Sequence, residues 1–72
     1  MTGSEVHEHV MEPLAGLSVA LEVALARVEQ MKRRAPDYEW QLQDAIDNMK
    51  LALDGIRETQ IRAVEYWRNN GY

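Results

Sequence analysis

Arg33-Arg34-Ala35-Pro36-Asp37 is the place in this chain where a helical pattern must stop and start again. Proline lacks a backbone N–H, and its ring pushes the preceding residue, Ala35, out of the helical region. Lys32, Arg33 and Arg34 complement the negative end of a helix finishing there, and Asp37 reads as the cap of the next, give or take a residue. Upstream, His7, Val10, Leu14, Leu17, Leu21, Ala24, Val28 and Met31 recur at alternating steps of three and four. Downstream, Tyr38, Leu42, Ala45, Met49, Ala52, Ile56, Thr59, Ala63 and Tyr66 do the same. Such spacing gathers each set on one stripe of an α-helix, and the turn folds the stripes together. The expected fold is all-α: an antiparallel hairpin of two long helices, residues 4–34 and 38–69 about a turn at 35–37. A second copy is expected to complete a four-helix bundle.

Folding about the turn sets Leu42 against Val28, Ala45 against Leu25, Met49 against Leu21, and Ala52 against Leu17 or Ser18. Small residues then face large ones, and Gly16, Ala20 and Ala24 permit close approach. At the front, Met1 to Gly3 should be loose, with Ser4 as N-cap and Glu5 and Glu8 favoured by the helix dipole. Pro13 costs a helix interior about 3 kcal/mol. A kinked rather than interrupted first helix is expected, because the seam keeps its phase through Val10, Leu14 and Leu17. Asn69-Asn70-Gly71 is the stop signal of the second helix. Glu29–Arg33 and Glu58–Arg62 are correctly oriented i,i+4 pairs.

Seventy-two residues make one domain near the lower limit for a self-sufficient core, with no cysteine to staple it. Two helices bury one stripe each and leave a flank wet, so a homodimer is the expected partner state. A net charge of −4 weighs against nucleic acid and anionic membrane and fits a cytoplasmic protein. Leu14 to Ala26 is almost wholly apolar and ends like a signal-peptidase site, but acidic Glu5, Glu8 and Glu12 precede it where a secretory signal needs positive charge. The run is shorter than the about 20 residues that span a bilayer. It reads as a buried helix segment, with no membrane partner.

Chemistry is sparse. His7-Glu8-His9 with Glu5 and Glu12 is the one group with metal-ligand character, but His7 and His9 diverge on a helix, leaving His9 with Glu5 or Glu12. No metal or cofactor is expected. Asp44 and Asp47 lie on an open face where nothing raises a carboxyl pKa, and no glycine-rich loop follows a strand, so no enzyme is expected. Arg27, Lys32, Arg33 and Arg34 form a basic patch near the turn. In general shape the hairpin is similar to the small RNA-binding helical dimers of the Rop type. That likeness is one of architecture, without a shared motif, and implies at most a minor RNA-binding reading.

The outward face of the second helix says more. Asp37, Asp44, Asp47, Asp54, Glu58 and Glu65 are interleaved there with Trp40, Leu51 and Ile61, which read as anchors in a polar rim. Tyr66, Trp67 and Tyr72 extend that surface. The expected interface is therefore Trp40, Asp44, Asp47, Leu51, Asp54, Ile61, Tyr66 and Trp67, engaging either a second copy or another protein. The expected function is protein binding: a small regulatory, inhibitory or adaptor protein of the kind common in phage and plasmid systems, acting by steric occupation. The alternative is a structural or chaperone-like subunit of a larger helical assembly.

Overall fold

The computed structural model describes residues 2–70 as two long helices joined by a short turn, the expected hairpin. Helix α1 is Gly3–Arg34 and helix α2 is Glu39–Asn70. Met1, Gly71 and Tyr72 lie outside the described residues, and with them part of the expected stop signal and the aromatic Tyr72. Ala35 leaves the helical region at φ −126°, ψ 71°, while its N–H still donates to the Met31 carbonyl at 2.8 Å. A 3-10 turn, Pro36–Tyr38, then reverses the chain, and the Tyr38 N–H donates to the Ala35 carbonyl at 3.0 Å. Asp37 is not the cap expected of it. It lies inside the 3-10 turn, which has no side-chain cap. At the other end Thr2, not Ser4, caps α1, its hydroxyl accepting the Glu5 N–H at 3.2 Å.

Pro13 does not interrupt α1 and sits in the first turn of regular α-helix, directly after an irregular one. The turn before it, His7–Met11, widens into a π-helix in which the Glu12 N–H donates to the His7 carbonyl five residues back. A proline cannot bond the carbonyl four residues earlier and its ring collides with that group, so a wider turn gives the room. The extra residue also rotates everything before it by about 100° relative to the rest of the helix. Val6 therefore turns into the hairpin and is buried, while His7, expected on the seam, is exposed.

The seam observed differs from the expected one at every second position. On α1 the inward residues are Leu14, Ser18, Leu21, Leu25, Val28 and Lys32. On α2 they are Leu42, Ile46, Met49, Leu53, Ile56, Gln60, Ala63 and Trp67. Both sets keep the three–four alternation of a packed helix pair. Leu17, Met31, Tyr38 and Tyr66 are each more than half exposed, and Ala52 and Thr59 are exposed too, so Ala52 does not meet Leu17 across the hairpin. Only Val6, Ile46 and Leu53 are well buried among the described residues. The accessible surface is 5536 Å². A folded monomer of this mass exposes about 4,600 Å². One layer of two helices leaves much of its apolar surface in water.

Candidate interaction surfaces

Cross-helix polar contacts give the hairpin one charged flank. Arg57 Nη2 lies 3.3 Å from Glu22 Oε1, and Lys32 Nζ donates to Gln43 Oε1 at 2.6 Å. Gln43 Nε2 in turn donates to Asp47 Oδ1 at 2.9 Å. A shallow groove of about 430 Å³ runs along this flank between Glu29, Lys32, Gln43 and Lys50. Lys50, Arg57 and the edge of Gln43 recur every seven residues, which keeps them on one side of α2.

The outer face of α2, opposite Ile46 and Leu53, carries the acidic stripe. Trp40, Asp44, Asp47, Leu51, Asp54 and Glu58 follow one another at steps of four and three, and all are exposed. Trp40 is 73% exposed and Leu51 69%, values that leave both free to anchor a partner. Glu58 also holds Arg62 at 2.6 Å, one of the two expected i,i+4 pairs; Glu29 and Arg33 form none among the described residues.

The other expected interface residues go elsewhere. Ile61 is exposed but turns toward the charged flank, lining a groove with Met11, Arg57, Val64 and Arg68. Tyr66 is exposed on the opposite flank. Trp67 turns inward and is half-buried, and it leaves the outward surface altogether. Its Cζ2 lies 3.1 Å from where a Cβ on Gly3 would stand, so the indole closes the open end of the hairpin over α1. Its Nε1 is buried without a partner, as is Ser18 Oγ. The larger size of Trp67 than of its neighbour Tyr66 was the signal available for placing it inward.

The second flank is poor in charge, with Arg27, Arg34 and Arg62 at its edges. Leu17, Ala24 and Met31 on α1, and Tyr38, Ala45, Ala52, Thr59 and Tyr66 on α2, each recur every seven residues. Helical geometry places them on the side away from Glu22 and Arg57. The Thr59 hydroxyl is satisfied internally, donating to the Gly55 carbonyl at 2.9 Å. These are the residues that shared the expected seam and proved exposed or half-buried. The back of α1 is apolar as well, with Val19 and Val23 exposed. The run Leu14–Ala26 is short of a span and, against expectation, none of it is fully buried, but α1 is long and apolar enough to cross a membrane, a test that buried core helices and N-terminal signal sequences also pass.

The terminal histidines and the basic residues do not converge. His7 Nε2 lies 3.3 Å from Glu12 Oε1, a pairing over five residues across the π-turn. Among the described residues no three His, Asp or Glu side chains come together as a cation site. The basic patch divides: Lys32 turns in toward Gln43, Arg33 lies on the charged flank, and Arg27 and Arg34 lie toward the outer side of α1. No family model, characterised protein or solved structure matches the chain.

Proposed function

We propose that this is a small cytoplasmic protein-binding module with a regulatory, inhibitory or adaptor role, acting by steric occupation of a partner through the outer face of α2. The reading is carried by the exposure of Trp40 and Leu51 among Asp44, Asp47 and Asp54 on one stripe of a long, regular helix. An aromatic and an aliphatic anchor ringed by acids suit a basic-rimmed apolar groove, the way an amphipathic helix is received by a partner. Nothing in that stripe is arranged for bond making: its carboxylates are exposed and lack a nucleophile or convergent donors around them. The second reading, a subunit of a larger helical assembly, is favoured by the bare back of α1 at Val19 and Val23. Affinity capture from the native host with wild type and Trp40→Ala in parallel tests the first reading. A partner retained by wild type and lost with the variant supports it, and equal recovery with both overturns it.

A further inference from the structure

We infer that the charge-poor flank of the hairpin, the one bearing Leu17, Ala52 and Gly55, is the docking face for a second copy of this chain, with both turns at the same end of a four-helix bundle. The inference does not rest on the partner proposed for the outer face of α2, although Asp44 borders both surfaces.

Three observations commit the occupant. The first is area. The hairpin exposes on the order of 900 Å² more than a folded chain of its mass should. A standard interface takes about 800 Å² from each partner. The flank offers a footprint of that order, since the Cα trace spans 54 by 16 Å in its long directions and only 9 Å in the third.

The second is shape. A two-fold axis parallel to the helices lays α1 of one copy on α2 of the other, at matching heights above the turn. Leu17 then lies, within a helical turn, over Gly55, where an added Cβ would meet nothing within 4 Å. Large residues of one helix fill gaps left by small residues of the other.

The third is charge at the rims. Arg27 and Arg34 edge the flank on α1, Asp44 edges it on α2, and Asp37 stands in the turn just before α2, all four exposed. Both pairs are separated by seven residues, so the same axis that seats Leu17 brings Arg27 to the partner's Asp44 and Arg34 to the partner's Asp37. Turns at opposite ends would instead stack α1 on α1 and separate both arginines from both aspartates. Like a bilayer, a heterologous apolar partner offers no such register.

The test uses the full chain in sedimentation equilibrium across the micromolar range, with circular dichroism on the same samples. A dimer is expected. Ala52→Lys, which the hairpin alone tolerates because the position is exposed, should raise the dissociation constant about tenfold or more. Arg27→Glu should weaken pairing about fivefold, and adding Asp44→Arg to it should restore affinity. Because the chain has no cysteine, a spin label at Glu39→Cys, an exposed position beside the turn that the pairing does not use, reads orientation directly. A label separation well under half the 54 Å length supports turns at one end. A monomer throughout the range, a dimer indifferent to Ala52→Lys and to the charge swap, labels a hairpin length apart, or a monomer that floats with phosphatidylcholine vesicles would each overturn the inference.

Discussion

Glu22 on α1 and Arg57 on α2 meet at 3.3 Å, and that contact assigns a side to every other residue of the hairpin. Once these two share a flank, the seven-residue steps from Leu17 to Met31 and from Tyr38 to Tyr66 fall on the opposite one. The chain thus has one flank joined across the helices by charge and one with charges only at its edges.

The pair itself should contribute little. Both side chains are more than half exposed, and exposed pairs are worth at most about 1 kcal/mol and weaken with salt. Glu22→Gln should lower unfolding stability by less than that in low salt and by nothing measurable in high salt. Urea unfolding at two salt concentrations checks this, and a larger, salt-resistant loss would give the contact a structural weight its exposure denies.

Leu53 and Leu51 should separate cleanly on mutation. Leu53 is 8% exposed in the seam, and Leu51 is on the outer face. Leu53→Ala should cost about 2–4 kcal/mol through lost burial and a residual cavity. Leu51→Ala should stay within about 0.5 kcal/mol, as surface substitutions do. Leu21→Asp, placing an unpaired charge in the seam, should unfold the chain. Circular dichroism during urea titration measures all three, and equal losses for Leu53→Ala and Leu51→Ala would refute the phase of α2.

Gly3 and Trp67 offer a third test. A Cβ on Gly3 would stand 3.1 Å from the indole, tighter than ordinary contact, so the ring must give slightly for alanine and move for a branched side chain. In a Trp40→Phe background, where Trp67 is the remaining tryptophan, Gly3→Val should red-shift its fluorescence as the indole is pushed toward water. An unchanged emission maximum would mean that the ring does not depend on the space at Gly3.

The two helices, the turn and the acidic stripe were legible because each rests on local rules: a three–four periodicity, a proline after a basic run, and alternate spacing of Trp40, Asp44, Asp47 and Leu51. The phase of the seam was not. On α1 the run Leu14–Ala26 is apolar on nearly every side, so Leu17 and Ser18, or Ala24 and Leu25, satisfy the same pattern and the partner helix decides between them. On α2 the larger member of each adjacent choice would have given the answer at Ile46 over Ala45, Leu53 over Ala52 and Trp67 over Tyr66. The π-turn before Pro13 left no composition signal, yet it moves Val6 inward and His7 out.

The outer face of α2 carries the remaining prediction. Trp40 and Leu51 stand exposed between Asp44, Asp47 and Asp54, while Leu42, Met49 and Ile56 turn into the hairpin. Trp40→Ala and Leu51→Ala should leave helicity and melting nearly intact and weaken the captured partner, since anchors cost about 2 kcal/mol or more at an interface. Ile61→Ala, on the charged flank, should matter less to that partner than either. Asp47→Lys with Asp54→Lys should act chiefly on the association rate, because rim charges steer encounter more than they hold the complex. The measurement is stability and binding kinetics on the same set of variants. If Trp40→Ala melts the hairpin while binding per folded molecule is unchanged, Trp40 supports the fold. The acidic stripe would then lose its claim to be the working surface.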